Sequence, residues 1–232
     1  MRILVLNGSP NEKSSTMLLT QSFISGLGLL ESDEIKTVDS YRKNIKYCMG
    51  DLSCWFRQDG KCIIQDDDMN EVLDDMRDSD IIIWSFPLHV HSIPASLKAI
   101  LDRTIAFLKI NMVQTGSCVE HEKTFDLSAK KNVFIIGGGY PGYPDNFEAV
   151  KKQLATYFKN PSVICVCETA LLGVEVPELA PVKEALFGKL RAAGEEYAEK
   201  STVSFELVES IESPMIPNEM YLGIINSLGV NQ

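Results

Sequence analysis

The sequence has no apolar run long enough to cross a bilayer, because glycine, proline or charge interrupts each run before the roughly 18 to 20 residues required. The N-terminal MRILVLNGSP has one basic side chain and a very short apolar run, so we expect no signal peptide. Basic residues are also scarce: 22 face 32 acidic ones, and a net charge of −10 repels nucleic acid. These deficits predict a soluble protein that binds neither membranes nor nucleic acid.

Six unevenly spaced cysteines are present, two of them in an apolar run at Cys165 and Cys167. This pattern does not resemble the disulfide framework of a small secreted domain. We therefore expect a cytoplasmic location, where thiols stay reduced.

Short apolar segments alternate with amphipathic ones along the chain. Buried strands are predicted at 2–6, 35–38, 80–85, 132–136 and 162–166, and helices at 16–27, 69–76, 95–108, 147–158 and 180–200, the last of them the final helix. This alternation predicts an α/β fold with a doubly wound, five-stranded parallel sheet and helices on both faces. Residues 1–200 form the expected domain, with a cysteine-containing loop at 41–67. Residues 201–232 are expected to be an extension packed on that domain or on a partner subunit.

Ligands of such sheets bind outside the carboxyl ends of the strands, where three loops are of interest. The first, residues 8–16, offers hydroxyls and backbone N–H groups at a helix N-terminus, which suits a phosphate. It lacks the Walker A and dinucleotide-binding patterns, and helix capping by its Ser and Thr residues is the structural alternative.

The second loop, residues 86–94, has prolines near both ends and suits a wall for a planar ring. His89 and His91 raise the possibility of a metal site, but His121 is the one further histidine, so ring contact is the favoured interpretation. The third loop, residues 137–144, contains G-x-G-x-x-G. With Glu168 as the acidic partner it would suit a dinucleotide, but close approach of its backbone to a ligand is favoured.

Three segments together resemble the NADPH-dependent FMN reductase and iron–sulfur flavoprotein family. They are the first strand with GSPNEKSST, the cysteine segment from Cys48 through Cys54-Trp55 and Cys62 to Asp66-Asp67, and SDIIIWSFPLHVHSIPASLKAILDR. The specificity of the match lies in their conjunction, which covers about two thirds of the chain. The resemblance implies a flavodoxin-like fold, FMN as cofactor, NAD(P)H as co-substrate and a homodimer or homotetramer.

The resemblance also implies the site residues. The family's phosphate loop maps onto Ser9, Asn11, Ser14, Ser15 and Thr16, its flavin wall onto Pro87, Leu88, His89 and Val90, and the ring edge onto Gly138, Gly139 and Tyr140. Family members often carry aromatic residues where this chain has His89 and Val90, so its stacking environment differs. Tyr140 and His89 are the candidate proton donors, with packing or ring orientation as the favoured role of each.

Family members with a [4Fe-4S] cluster resemble C-x2-C-x2-C followed by a fourth cysteine. Here Asp51 stands at the second position, which leaves Cys48, Cys54 and Cys62 as cluster candidates. Because such clusters are held by four thiolates, no cluster and no metal site is expected. A packing role over the flavin or at a dimer interface is favoured, and a redox-active Cys54–Cys62 pair is the alternative.

The sequence therefore predicts an enzyme that transfers a hydride from NAD(P)H to bound FMN and then passes electrons to a small acceptor such as a quinone, a nitroaromatic compound or a flavin. Two other classes stay open. One is an electron carrier that exchanges electrons with protein partners, and the other is an FMN-dependent regulatory protein.

Overall fold

The computed structural model describes residues 1–11, 13–57, 59–142 and 145–229, and its strands and helices alternate through most of the chain. The strands are β1 (Arg2–Asn7), β2 (Glu34–Asp39), β3 (Ile81–Pro87), β4 (Leu108–Thr115), β5 (Cys118–Lys123), β6 (Lys131–Gly137) and β7 (Ser162–Val166). The helices are α1 (Ser15–Ser25), α2 (Cys54–Arg57), α3 (Met69–Asp78), α4 (Ala95–Arg103), α5 (Glu148–Tyr157), α6 (Ala180–Lys200), α7 (Phe205–Glu212) and α8 (Asn218–Gly229).

Five strands form one parallel sheet in the order β2-β1-β3-β6-β7. The order reverses between β1 and β3, as it does in flavodoxin-like folds. The predicted doubly wound sheet is thereby confirmed. Each of its five predicted strands is present, within two residues of the expected bounds.

The central strand β3 explains why helices cover both faces of the sheet. Its residues alternate between two apolar clusters: Ile82, Trp84 and Phe86 join the one on the side of α3, and Ile81 and Ile83 join the one on the side of α1 and α6. Successive side chains of a strand point to opposite faces, so a strand without polar alternation needs cover on both. The buried run DIIIWS therefore dictates a three-layer architecture.

The helix predicted over 95–108 was wrong at its C-terminal end. Helix α4 stops at Arg103, a short 3-10 turn follows, and the chain then forms the antiparallel hairpin β4–β5 outside the main sheet. The carbonyl oxygen of Ile105 accepts a hydrogen bond from Trp55 Nε1 at 3.0 Å, and Gly116 turns the hairpin at φ +62°. The 3-10 turn Thr104–Phe107 thus replaces the last predicted helical turn, and the hairpin that follows it was not predicted.

The prediction that 180–200 is the final helix was also wrong, because α7 and α8 follow it. Helix α7 packs against β7 and α6 through the buried Ile211, and Ile216 and Tyr221 join a small apolar cluster with Leu171. The division of the chain at residue 200 stays a prediction. None of the helices in the described residues combines the length and apolar character needed to cross a bilayer.

Candidate active site

Backbone hydrogen bonds bring the three predicted loops together at the carboxyl ends of β1, β3 and β6. The N–H of Leu88 donates to the carbonyl oxygen of Gly137 at 2.7 Å, and the N–H of Gly8 donates to that of Ser85 at 2.8 Å. A β-carbon at Gly137 would lie 2.7 Å from Thr16 Cγ2, so the first and third loops are in van der Waals contact. The three loops therefore lie next to one another, beside the point between β1 and β3 where the strand order reverses.

In the first loop, the predicted site residues differ in burial and in their part in capping helix α1. Ser14 is the N-cap of α1: its Oγ accepts from the N–H of Met17 at 3.3 Å and lies 2.7 Å from Thr16 Oγ1, and Ser14 and Thr16 are both buried. The N–H groups of a helical first turn have no acceptor within the helix. The other predicted residues keep exposed or half-buried side chains: Ser9, Asn11 and Ser15.

The second loop contains a strained two-residue turn. The backbones of His89 and Ser92 bond each other in both directions, at 3.1 and 3.0 Å, while Val90 and His91 between them have φ of +47° and +59°. A β-branched residue in this conformation costs about 1–2 kcal/mol. Val90 is nevertheless 94% exposed, so no packing offsets the strain in the unliganded chain. Strain of this kind is concentrated at ligand sites.

The second and third loops enclose a cleft of about 580 Å³, within the range typical of small-molecule sites. Pro87, the half-buried last residue of β3, precedes it. The cleft is lined by Leu88, His89, Val90, His91, Gly138, Gly139, Tyr140 and Asn146. It therefore unites the predicted flavin wall with the predicted ring edge.

Two glycines of the third loop have different roles. A β-carbon at Gly138 would lie 2.8 Å from Phe147 Cζ, so a side chain there would have to displace the Phe147 ring, whereas nothing lies within 4 Å of the β-carbon position at Gly139. Tyr140 beside them is 64% exposed. A ligand can thus approach Gly139 closely, while the Gly139 carbonyl oxygen accepts a hydrogen bond from the hydroxyl of Tyr221. Tyr143 and Pro144 of this loop, and Glu12 of the first, lie outside the described residues.

Glu168 does not serve the dinucleotide role considered for G-x-G-x-x-G. Its side chain is fully buried, and Oε2 accepts hydrogen bonds from the N–H groups of Met215 at 2.5 Å and Ile216 at 3.3 Å. Burial raises the pKa of this carboxyl above its ordinary value, and the two N–H groups oppose the rise. Glu168 holds the C-terminal segment, so it is not available to a ribose.

The histidines are spread over two sites. His91 Nδ1 bonds the carbonyl oxygen of Asn146 at 3.0 Å, whereas His121 Nδ1 bonds that of Lys109 at 2.8 Å in the hairpin, with the His121 ring 4.3 Å from that of Trp55. Within the described ranges, no group of three His, Cys, Asp or Glu side chains is arranged to hold a metal ion.

The cysteine segment does not fit a four-thiolate cluster. Cys48 is exposed, while Cys54 and Cys62 are buried, and burial raises the pKa of Cys54. Cys62 Sγ accepts a hydrogen bond from Arg103 Nε at 3.2 Å, and Arg103 forms a fully buried ion pair with Asp67. These contacts support a packing role for the segment. The Cys54–Cys62 redox pair stays a prediction.

Asn146 is the cleft residue that sequence reasoning missed. It is 3% exposed, and its Nδ2 and Oδ1 have no hydrogen-bond partner in the part of the chain that the structure describes. Its place near the end of a glycine-rich loop was the one available signal. That signal reveals neither burial nor the lack of a partner.

Comparison with known proteins yields one family and one fold. The sequence profile of the NADPH-dependent FMN reductases matches residues 1–155. An iron–sulfur flavoprotein of Clostridioides difficile is 32% identical over 148 residues, which are 60% of this chain and 64% of the relative. The matched segments span from about half to just under two thirds of the curated relatives' length.

Two solved structures show the shared fold. An FMN-dependent NADH-azoreductase from Bacillus anthracis, in complex with FMN, is 16% identical with a TM-score of 0.59, and the match covers 85% of this chain and 99% of that one. An NAD(P)H:quinone oxidoreductase from Methanothermobacter marburgensis is also 16% identical with a TM-score of 0.59, covering 84% and 96%.

Proposed function

This chain belongs to the family of NADPH-dependent FMN reductases, and we propose that it is an oxidoreductase that binds FMN between its second and third loops and reduces it with NAD(P)H. FMN and NAD(P)H are the cofactor and co-substrate that the family assignment gives. The acceptor we propose is a small molecule: a quinone, a nitroaromatic compound or a flavin. The observation that carries the proposal is the cleft at the carboxyl ends of β3 and β6, beside the N-terminus of α1.

The residues present fit FMN. The open space beside Gly139 lets the edge of a planar ring approach, and the amide of Asn146, which has no hydrogen-bond partner among the described residues, offers that edge a donor and an acceptor. Ser9, Asn11 and Ser15, together with the first turn of α1, suit a phosphate without requiring an arginine. When bound, FMN supplies the acceptance of a hydride and the onward transfer of electrons.

The protein's own part in the reaction is to position the flavin ring and to shield it from water. Leu88 and the strained turn at Val90 would form one wall of the ring site, and the Gly138–Gly139 backbone the edge. Tyr140 and His89 both line the cleft, so each is placed to donate a proton or to orient the ring.

We propose a homo-oligomer, a dimer or tetramer, in the cytoplasm. Support comes from the hairpin β4–β5, which exposes four apolar side chains outside the main sheet: Ile110 at 41%, Met112 at 55%, Val113 at 40% and Val119 at 64%. Exposed apolar surface of this kind is typical of interaction sites. The net charge of −10 supports the absence of nucleic acid among the partners.

The visible absorption spectrum tests the proposal. The purified protein, reconstituted with FMN if needed, should show flavin bands near about 375 and 450 nm that bleach rapidly when NADPH or NADH is added without oxygen. Free FMN at the same concentration is the control for direct reduction. A flavin that stays oxidised would favour the electron carrier or the regulatory protein, and a protein that binds no FMN would refute the assignment.

A further inference from the structure

The side chain of Asn146 is buried in the wall of the cleft, where the described residues offer it no hydrogen-bond partner. Its Nδ2 lies 3.1 Å from the β-carbon position at Gly138, so the amide lies directly against the third loop. Among the described residues, neither Nδ2 nor Oδ1 has an acceptor or donor, although the residue is 3% exposed. A buried amide in this state disfavours the unliganded fold, because it has given up water without replacement.

The chain offers a direct comparison at Asn132, which is equally buried at 3% exposure. Its Oδ1 accepts from Trp84 Nε1 at 2.9 Å, and its Nδ2 donates to the carbonyl oxygens of Leu127 and Lys130, both at 2.9 Å. Asn132 thus satisfies the rule for buried polar groups within the protein. Asn146 breaks that rule at the one place where a ligand is expected to supply the partner.

The backbone around Asn146 is fixed, which makes the amide a preformed binding group. The carbonyl oxygen of Asn146 can only accept, so His91 Nδ1 carries the proton in their 3.0 Å hydrogen bond. This bond ties the third loop to the strained turn of the second. A bulkier residue at Gly138 would displace Phe147 and the amide together.

We propose that Asn146 is a binding residue that pairs with a planar amide or imide edge of the ligand. Its adjacent donor and acceptor match a group that presents a carbonyl and an N–H side by side. The pyrimidinedione edge of FMN and the carboxamide of nicotinamide both present this pattern. The inference rests on the proposed function. It assigns to the Asn146 amide the recognition of either FMN or NAD(P)H.

The test uses the isosteric variant Asn146→Leu with Asn132→Leu as the matched control. Apo Asn146→Leu should unfold at the same urea concentration as the wild type or a higher one, because an unsatisfied amide has been removed. Asn132→Leu should unfold at a lower one, because Trp84 and two carbonyl groups lose their partner. Asn146→Asp retains the shape and replaces the donor with acceptor oxygens, so it should bind the same ligand less well at neutral pH.

Binding measurements then identify which ligand, FMN or NAD(P)H, presents the amide or imide edge to Asn146. A tenfold or larger rise in the Kd for FMN in Asn146→Leu, with the KM for NAD(P)H unchanged, assigns the pairing to the flavin. An unchanged Kd with a tenfold rise in KM and unchanged kcat assigns it to nicotinamide. The inference is overturned if neither constant changes, or if apo Asn146→Leu loses as much stability as Asn132→Leu. A wild type that binds no FMN overturns the proposed function and this inference with it.

Discussion

The hydroxyl of Tyr221 donates a hydrogen bond to the backbone carbonyl oxygen of Gly139, and so joins helix α8 to the loop that lines the cleft. The carboxylate of Glu168 holds Met215 and Ile216 close by, and Pro214 lies against Gly142. We call residues 212–221 the C-terminal clasp. Through it, a segment remote in sequence fixes the backbone expected to contact the flavin.

Replacing Tyr221 with Phe should loosen the third loop without disturbing the sheet. Loss of one hydrogen bond lowers the free energy of unfolding by about 0.5–1.5 kcal/mol. We expect FMN to dissociate several-fold faster, measured by stopped-flow fluorescence after dilution into apoflavodoxin or another FMN trap. Tyr47→Phe is the control, because Tyr47 is 72% exposed. Equal dissociation rates in both variants would contradict a role of the clasp in holding the loop.

Glu168 should make stability fall as pH rises. Burial raises the pKa of its carboxyl above the ordinary 4.5, so the folded state binds the proton more tightly than the unfolded state. The resulting stabilisation is complete below pH 4.5 and is lost as pH rises through the folded pKa. In Glu168→Gln this component disappears, so the variant's stability relative to wild type should increase across that interval. Urea unfolding from pH 4 to 8 measures the difference, and a constant difference would argue against the raised pKa.

The parts of the fold that could be predicted from sequence are those in which local pattern and burial agree. The run from Ile81 to Phe86 has one interpretation, because an apolar segment of that length bounded by polar residues suits a fully buried strand. The bounds of α6 match the predicted helix at 180–200, and in the structure Ser201 ends the helix in a left-handed conformation. Tertiary contacts decided the rest. A 3-10 turn replaces the predicted last turn of the 95–108 helix, and the carbonyl oxygen of Ile105 in that turn accepts a hydrogen bond from Trp55 Nε1.

The same distinction holds for the candidate site. Hydroxyls marked the first loop, prolines the second and glycines the third, because the backbone and capping chemistry of these residues is visible in sequence. The difference between buried Ser14, which caps α1, and half-buried Ser15 was not visible, since it depends on how the folded loop packs. That the described residues give the side chain of Asn146 no hydrogen-bond partner was equally hidden, because it depends on which groups surround that side chain after folding.

The buried ion pair between Arg103 and Asp67 should be essential to the stability of the fold around the cysteine segment. Burial alone would raise the pKa of Asp67, but hydrogen bonds from Arg103 and from backbone N–H groups lower it, so the carboxylate is charged at neutral pH. Arg103→Leu leaves that charge unpaired and should cost about 3–5 kcal/mol of unfolding free energy. Lys98→Ala removes an exposed ion pair on the same helix and should cost under about 1 kcal/mol. Similar losses of unfolding free energy in the two variants, measured by urea titration, would refute this stabilising role of the buried ion pair.

A negative charge at Ser15 should separate phosphate binding from ring binding. Ser15→Asp places a carboxylate in the first turn of α1, where it interacts favourably with the helix dipole but repels a phosphate. We expect the Kd for FMN to rise at least about tenfold, equivalent to ~1.4 kcal/mol, and the Kd for riboflavin to stay constant. Fluorescence titration of the apoprotein gives both constants. An equal rise in the Kd values for FMN and riboflavin would show that Ser15 does not contact the phosphate.

The clasp also has a consequence for the order in which the protein matures. Gly139 and Tyr221 are separated by 82 positions, so a ribosome completes the third loop and β7 well before it makes the residue that holds that loop. A nascent chain that already contains the whole sheet therefore has a third loop that Tyr221 does not yet hold. Stable uptake of FMN should begin only when translation has passed residue 221.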